Sequence, residues 1–303
     1  VLFATACSLP ALAEVTIDQT EDGLAVKLDG QPFANFVKQS GNKPIIWPIV
    51  GPTGKEMMRQ FPMRKAAEGE RADHPHHRSF WFTHGDVNGV SFWHEGGNTG
   101  TIKHREVSEL MPRGDTASFT VINDWLGPDG KKICEEVSTY KFGGDEDARW
   151  IDAHCTIRAT EEKDVVFGDT KEGSFGVRVA GTMKVDSKPG GTIVNSEGQS
   201  DKDAWGKAAS WVDYYGPVEG ETLGVAILNH PDSFRYPTYW HVRTYGLFAA
   251  NPFGLSDFKA GKKGTHTLKK GDTMTLGHRV IFHQGDEKDA AIAKAFEAYA
   301  KEK

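Results

Sequence analysis

Short runs in which apolar and polar residues alternate recur along the chain, and residues that favour turns separate them. Such alternation puts every second side chain on one face, which is typical of half-buried β-strands. Strands are predicted at residues 24–28, 117–122, 136–142, 150–157, 176–180, 223–228 and 273–282. Turn residues stand between them at 29–30, 127–130, 188–191 and 270–272. The pattern predicts an all-β protein, a large antiparallel β-sandwich.

One helix is expected, at the C-terminal end. Ile292, Phe296 and Tyr299 recur at i, i+4 and i+7 on one helical face, and Asp286 is a suitable N-cap residue. The predicted helix covers residues 287–302. Because no linker or repeat divides the chain, residues 14–303 are expected to form a single β-sandwich domain that includes this helix.

Residues 1–13 have a different composition from the rest of the chain. They are apolar and uncharged and end in Ala11-Leu12-Ala13, the small-x-small pattern that precedes signal-peptidase cleavage. We interpret them as a residual signal peptide cleaved after Ala13, and the alternative is a lipoprotein acylated at Cys7. No later segment has the roughly 18 apolar residues that a membrane helix needs. The sequence therefore predicts a periplasmic or secreted protein with no membrane span.

Two cysteines follow the predicted cleavage site, Cys134 and Cys155. They lie on two predicted strands of one hairpin around residues 143–146, which would place them roughly opposite each other. Export to an oxidising compartment would allow a disulfide between them, and the alternative is a pair of buried thiols. A formal charge of -6 and a pI near 6.1 argue against a nucleic-acid partner, because phosphate binding favours a basic face.

The segment from Arg71 to Trp93 concentrates histidine, arginine and aromatic residues in one stretch. Histidine titrates near neutral pH, donates and accepts hydrogen bonds, and binds metals, so a dense group of histidines indicates a functional pocket. The candidate residues in this stretch are His74, His76, His77, Arg78, Trp81 and His84.

A second candidate segment holds two carboxylates, Asp169 and Glu172, in a glycine-flanked loop that leads into a strand carrying Arg178. Either carboxylate would act as a general acid or base if burial raised its pKa. The alternative is a polar loop in which these acids cap turns or pair with Lys171 and Arg178.

A third segment again combines histidine, arginine and aromatic residues in loops broken by proline. Its candidates for binding or catalysis are His230, Arg235, His241, Arg243 and Asn251, and Trp211 adds a nearby flat ring. A sugar ring stacks on such aromatic faces while polar side chains bind its hydroxyl groups. Because the three segments share one unusual composition, we expect them to meet in one cleft.

The segments 73–93, 169–178 and 241–254 together resemble a family of exported bacterial proteins known as PmoA-like and labelled "methane oxygenase PmoA". We interpret the oxygenase label as a mislabel, because the methane monooxygenase subunits of that name are integral membrane proteins. The family is also similar to galactose-mutarotase-like supersandwich proteins. This resemblance implies a supersandwich fold whose concave sheet binds a sugar.

Three functions fit these observations. The first is a carbohydrate-active epimerase, lyase or hydrolase, with a carbohydrate or another small molecule as substrate. Its predicted catalytic residues are His74, His77, His84, Asp169, Glu172 and His241. Its predicted substrate-binding residues are His76, Arg78, Trp81, Arg178, Trp211, His230, Arg235, Arg243 and Asn251.

The second function is an oxygenase-type metal enzyme in which His74 and His76 bind the metal and His84 or a distant histidine completes the ligand set. The third is a noncatalytic glycan-binding module. The acid-base mechanism requires no cofactor, whereas the second function requires a metal. The sequence therefore does not decide whether the protein binds a metal cofactor. The oligomeric state also stays open.

Overall fold

The computed structural model describes residues 13–67 and 69–302, and the regular secondary structure of these residues is almost entirely β-strand. The strands are β1 (Val15–Gln19), β2 (Gly23–Leu28), β3 (Gln31–Ser40), β4 (Lys43–Ile49), β5 (Phe80–His84), β6 (Thr101–Met111), β7 (Arg113–Gly114), β8 (Ala117–Leu126), β9 (Lys132–Gly144), β10 (Ala148–Arg158), β11 (Val165–Phe167), β12 (Gly173–Arg178), β13 (Thr192–Asn195), β14 (Trp211–Val218), β15 (Glu221–Asn229), β16 (Tyr239–Val242), β17 (Leu247–Asn251), β18 (His266–Leu268) and β19 (Thr273–Gln284). The one α-helix of the described residues is α1 (Ile292–Tyr299), and a short 3₁₀ helix spans Asp201–Ala204.

Two large antiparallel sheets form the molecule. The nine-stranded sheet has the order β16-β17-β12-β5-β4-β3-β2-β1-β7, and the eight-stranded sheet has the order β13-β14-β15-β19-β10-β9-β8-β6. Strands β11 and β18 form a separate pair. This arrangement confirms the predicted all-β class, the large antiparallel sheets and the C-terminal helix.

The main core lies between the two sheets. Phe33 of β3 meets Phe142 of β9 and Phe282 of β19 edge to face, with ring centroids 5.8 and 6.2 Å apart. All three rings are fully buried, and burial of each stabilises the fold by roughly 1.5–3 kcal/mol. These contacts hold the inner faces of the sheets together.

The opposite face of the nine-stranded sheet carries a second, smaller cluster of buried residues. Phe80 and Phe82 of β5 join the main core, whereas Trp81 packs with Trp93 and Leu247 on this outer face. Period-two alternation along β5 explains the division, because neighbouring side chains point to opposite faces. Loops cover this outer face, and they contain the histidine-rich segment.

Helix α1 covers the outer face of the eight-stranded sheet, where Ile292 and Tyr299 are buried. The helix is shorter than the predicted span of 287–302. Ala291 has a left-handed backbone with φ 48°, which a right-handed helix cannot contain. Asp286 caps the turn before it by accepting the backbone N–H groups of Lys288 and Asp289.

The predicted hairpin of β9 and β10 is present, but its register does not pair the cysteines. Cys155 lies opposite Ser138, and Cys134 lies opposite Trp125 of β8. Four residues along a strand span about 13 Å, whereas a disulfide requires Cα atoms within about 7 Å. Both cysteines are free and buried, and burial raises the pKa of each thiol. Of the two alternatives, the structure therefore has the pair of buried thiols and not the disulfide.

The predicted signal peptide and the alternative acylation site at Cys7 lie outside the described residues, apart from Ala13. Within the described part of the chain, no helix has the length and apolar character needed to cross a membrane.

Candidate functional site

A buried arginine shapes the histidine-rich loop. Arg59 is 2% exposed, and its guanidinium group donates to the backbone carbonyls of Asp73, His74 and His77 at 2.9, 2.9 and 3.2 Å. It also binds the Asp73 carboxylate at 2.9 Å. His74 has φ 45°, a left-handed conformation that costs free energy in a residue other than glycine. The contacts with Arg59 hold the loop in this conformation.

Four rings stack in a row across the outer face of the nine-stranded sheet. His74 lies between Tyr245 and His77, with ring centroids 5.5 and 4.9 Å away and interplanar angles of 10° and 9°. His77 in turn stacks on Trp81 at 5.5 Å, and Trp93 meets the edge of His77 at 5.4 Å. The stack fixes the orientation of both imidazole rings.

His77 is held as a neutral hydrogen-bond donor. Its Nδ1 lies 3.0 Å from Nη1 of Arg178. A guanidinium group only donates, so Nδ1 accepts and the ring hydrogen is on Nε2. Burial lowers the pKa of His77 well below its ordinary value, and the charge of Arg178 lowers it further. Near neutral pH the ring is therefore uncharged.

Arg178 lies behind the ring stack on β12. Its Nη2 is 3.3 Å from the Asp73 carboxylate, which Arg59 also contacts, so two buried guanidinium groups share one carboxylate. Burial, and then the charge of Arg59, lower the pKa of Arg178 to about 10. Arg178 therefore keeps its positive charge at neutral pH.

Glu172 and His241 lie near enough beside this stack to interact electrostatically, and among the described residues no hydrogen bond or ion pair joins their side chains directly. His241 donates from Nδ1 to the carbonyl oxygen of Lys171 at 2.7 Å. That carbonyl only accepts, so the hydrogen is on Nδ1 and the lone pair on Nε2. Burial lowers the pKa of His241 to about 4, although the Glu172 carboxylate acts in the opposite direction. His241 is thus a neutral base at physiological pH.

Glu172 carries a negative charge in this position. Burial acts to raise its pKa, but the hydrogen bond from Lys171 and the positive charge of that side chain outweigh burial, so the pKa lies below its ordinary value. Lys171 Nζ lies 2.9 Å from Oε1 of Glu172. Gly85 permits the close approach of this segment to β5, because a Cβ atom there would lie 2.7 Å from the Cβ of Glu172.

Tyr245 and Trp205 line the side of the pair. Arg243 lies over both rings, 5.6 Å from the Tyr245 centroid and 5.7 Å from the Trp205 centroid. Trp205 meets His241 edge on, with 6.4 Å between ring centroids. Burial raises the pKa of the Tyr245 hydroxyl, which therefore stays protonated as a possible donor.

We call this surface the histidine face and define it by His74, His76, His77, Glu172, Arg178, His241, Arg243 and Tyr245. Trp81 supports it from below, and His94 adjoins it, with its ring 5.0 Å from that of His76. Burial lowers the pKa of His76 to about 4. The histidine face thus contains seven of the predicted site residues, from three distant segments, and Trp81 beneath it is an eighth. Tyr245, Trp205 and His94 were not among those predictions, although each lies in or near the motifs that carried them.

Asp169 and His84 have other contacts. The Asp169 carboxylate accepts the backbone N–H groups of Ser256 and Gly264 at 3.0 and 2.7 Å, and so closes a loop. Burial acts to raise the pKa of Asp169, but these hydrogen bonds lower it overall, against the expectation of a raised value. His84 is fully buried, and its two ring nitrogens bind the Gly168 carbonyl and the Ser174 hydroxyl at 2.8 and 3.1 Å.

Arg78, Arg235 and Asn251 likewise hold segments of the protein together. Arg78 forms a two-pronged ion pair with Glu95, at 2.6 and 2.7 Å. Arg235 donates to backbone carbonyls of the loop that follows β17, including that of Pro252 at 2.9 Å. Asn251 accepts the backbone N–H groups at the start of the same loop. Their hydrogen-bonding groups are engaged within the fold.

Trp211 and His230 belong to the other sheet. Trp211 packs beside α1. His230 donates from Nε2 to the Glu302 carbonyl at 3.1 Å, and its ring meets Tyr299 at 5.0 Å. The expected convergence of all the candidates in one cleft is therefore wrong for these two residues, because their strands lie in the eight-stranded sheet.

Among residues 13–67 and 69–302, no group of three or more His, Cys, Asp and Glu side chains has an arrangement that would hold a metal ion. His84 was the expected third ligand, and both of its ring nitrogens already have partners. A groove of about 710 Å³ near β18 and β19 includes Phe234, His266 and Met274 in its lining. None of the predicted site residues lines that groove.

Residues 23–297 match the model of a family described as a family of unknown function, DUF6807. The chain belongs to this family. The description names no activity, so the resemblance to PmoA-like proteins stays a prediction. No curated protein matches the DUF6807 chain.

Several solved structures match the chain at low similarity. The GH36 alpha-galactosidase AgaB from Geobacillus stearothermophilus is 9% identical, with a TM-score of 0.38 over 91% of this chain and 41% of that one. An alpha-galactosidase from Lactobacillus brevis is 8% identical, with a TM-score of 0.41 over 91% of this chain and 40% of that one. The Slr1438 protein from Synechocystis sp. PCC 6803 is 9% identical, with a TM-score of 0.36 over 90% of this chain and 93% of that one. The chain thus spans about two fifths of each alpha-galactosidase, and these similarities assign no activity to it.

Proposed function

We propose that this DUF6807 protein is an enzyme that moves protons on a sugar or glycoside bound at the histidine face. The observation that carries the proposal is the fixed arrangement around Lys171, whose carbonyl oxygen accepts from His241 and whose ammonium group binds the Glu172 carboxylate, with Trp205 edge-on to the His241 ring. We further infer that the protein acts after export, because residues 11–13 have the pattern of a cleavage site.

His241 acts as the general base. Its Nδ1–H is held by the Lys171 carbonyl, which leaves the Nε2 lone pair to take a proton from the substrate. The negative charge of the nearby Glu172 carboxylate stabilises the imidazolium that forms, while the Lys171 carbonyl keeps its hydrogen bond to Nδ1. Epimerisation, elimination and hydrolysis all begin with or include such a proton transfer.

The aromatic side chains and His77 position the substrate. The half-buried Trp205 offers aromatic surface for a sugar ring. Tyr245 contributes its hydroxyl group, because His74 and two arginines already pack on its ring. His77 presents its Nε2–H as a neutral donor, because Arg178 occupies Nδ1. Such a combination of ring faces and a few oriented polar groups is typical of small-molecule sites.

A panel of reducing sugars, glycosides and oligosaccharides tests the proposal. Proton NMR in deuterium oxide detects exchange or epimerisation, ultraviolet absorbance detects a new double bond, and a reducing-end assay detects hydrolysis. On a substrate so found, we expect His241→Gln and Glu172→Gln to lower kcat by about 100-fold or more. His266→Gln is the matched control, because His266 lies on β18 against Phe234, and it should keep wild-type activity.

Two results would contradict the proposal. Wild-type turnover in both His241→Gln and Glu172→Gln would show that neither side chain takes part in the reaction. Saturable sugar binding without any turnover, lost in the same variants, would leave a glycan-binding module instead.

The pH dependence provides a second check. Because the pKa of His241 is lowered to about 4, the base stays unprotonated as the pH falls from 7 to about 5. We therefore expect kcat/KM to stay level over that interval and to fall only near pH 4, whereas a histidine with an ordinary pKa near 6.5 would lose activity much earlier.

A further inference from the structure

Positive charges gather around Tyr245 on the histidine face. Arg178 and Arg243 lie over its ring, with Cζ atoms 4.8 and 5.6 Å from the centroid. Lys184 lies against the same segment, because a Cβ atom at Gly246 would be 3.0 Å from Cγ of Lys184 and 3.6 Å from Nε of Arg178. These three cations therefore surround one edge of the proposed sugar site.

Most of this charge has no carboxylate partner. Arg178 must share Asp73 with Arg59. In the described part of the chain, neither Lys184 nor Arg243 takes part in a salt bridge. Nε of Arg178 is also buried without a hydrogen-bond partner among the described residues. Burial lowers the pKa of Lys184, and the like charges of Arg71 and Arg178 lower it further, while the Asp186 and Asp73 carboxylates only partly offset these effects.

This crowding is unusual in a chain with 42 acidic and 36 basic residues. A protein with a negative formal charge has enough carboxylates to neutralise a cation cluster, and like charges left together cost free energy. A bound anion would supply the missing counter-charge. Arg243 also suits an anion geometrically, because Tyr245 and Trp205 hold its guanidinium plane between them, and a fixed guanidinium binds a carboxylate through two parallel hydrogen bonds.

We propose that the substrate of the histidine face is an acidic sugar whose carboxylate binds Arg243 and Lys184, with Arg178 behind them. This inference rests on the proposed function, since it assigns the substrate class of the same site. Glu172 and His241 act on the sugar ring, and Arg243, which lies over Tyr245 and Trp205, holds the acidic group.

The test compares sugars that differ only in charge. Isothermal titration calorimetry on the purified protein would use trigalacturonate, the same trisaccharide with its carboxyl groups reduced to alcohols, and a sulfated galactose oligosaccharide. We expect trigalacturonate to bind at least about tenfold more tightly than its reduced form at low ionic strength. Raising the salt concentration from about 20 to about 300 mM should narrow this difference, because part of the charge is near the surface.

Arg243→Gln should weaken trigalacturonate binding about tenfold more than it weakens binding of the reduced trisaccharide, and so remove most of the preference for the acidic sugar. Arg243→Lys should restore part of the loss, because it keeps the charge without the planar fork. Arg113→Gln is the matched control, since it removes the same charge from a side chain 71% exposed at the far end of the sheet. It should bind like the wild type.

The outcomes separate the two proposals. Equal affinity of the wild type for the acidic and reduced trisaccharides overturns the acidic-sugar inference and leaves the proposed proton chemistry intact. Preference for the sulfated oligosaccharide over trigalacturonate also overturns it, in favour of a sulfate ester. Tight trigalacturonate binding that Arg243→Gln weakens, together with unchanged turnover in His241→Gln, supports the anion site and contradicts the proposed chemistry.

Discussion

Replacing Asp73 with asparagine removes the charge that holds two buried guanidinium groups. Oδ1 of Asp73 lies 2.9 Å from Arg59 and 3.3 Å from Arg178, and both arginine side chains are 2% exposed. Hydrogen bonds to charged groups contribute about 1.5–3 kcal/mol each. Asp73 itself is 33% exposed, so solvent screens part of this interaction. We expect Asp73→Asn to lower the free energy of unfolding by about 3 kcal/mol in total.

Calorimetry at pH 7 measures this effect as a fall in Tm. With an unfolding entropy of about 2.1 cal/mol/K per residue over roughly 290 residues, 3 kcal/mol corresponds to a fall of about 5 °C. Asp18→Asn is the control, because Asp18 pairs with Lys27 at 2.8 Å while both side chains are largely exposed. No measurable change in Tm is expected for that variant.

The pH dependence of this difference identifies its cause. Burial acts to raise the pKa of Asp73, but the hydrogen bond from His74 and the charges of Arg178 and Arg59 outweigh burial and lower it. A carboxylate whose pKa is lower in the folded state stabilises the protein above its unfolded pKa of about 3.9 and loses this effect as the pH falls through the folded value. The Tm difference should therefore shrink below about pH 4. A difference that stays constant from pH 7 to about 3 would refute the electrostatic explanation.

Three further predictions concern the interior. His84→Ala should lower the free energy of unfolding by about 3 kcal/mol in urea titrations, because it removes buried bonds to Gly168 and Ser174; wild-type stability would contradict that role. Tyr299→Phe should raise this free energy by about 1 kcal/mol, since the Tyr299 hydroxyl is buried without a partner in the described residues; a loss would show that the hydroxyl is satisfied. Iodoacetamide should leave the buried thiols of Cys134 and Cys155 unmodified in the native protein. After denaturation without reductant it should alkylate both, whereas a disulfide would prevent alkylation of either cysteine.

The strand content was predictable because alternation is a local property. The position of His84 was also accessible from the sequence, since it shares the parity of Phe80 and Phe82 along β5 and therefore points into the core with them. The density of the histidine motif favoured function instead. The number of histidines in a segment does not show which face of a strand each one occupies. The odd or even position of a residue along the strand does show this.

Other features of the site depend on contacts between distant residues. Asp169 and Glu172 are three residues apart, but only Asp169 closes a loop. It does so because it accepts the backbone N–H groups of Ser256 and Gly264, which are 87 and 95 residues away along the chain. The separation of Trp211 from the histidine face follows from the strand order of the two sheets. Neither the contacts nor the strand order is encoded in a local pattern of the sequence.

Arg59 has a consequence for how this site changes during evolution. It holds the histidine loop through backbone carbonyls, and these acceptors are the same whatever side chain the loop residue carries. The loop conformation therefore depends on a residue outside the loop. Substitutions at half-buried positions such as His76 alter the chemistry that the surface offers while the backbone path is retained. Related proteins with the same arginine are thus free to acquire new specificities by exchanging loop side chains one at a time.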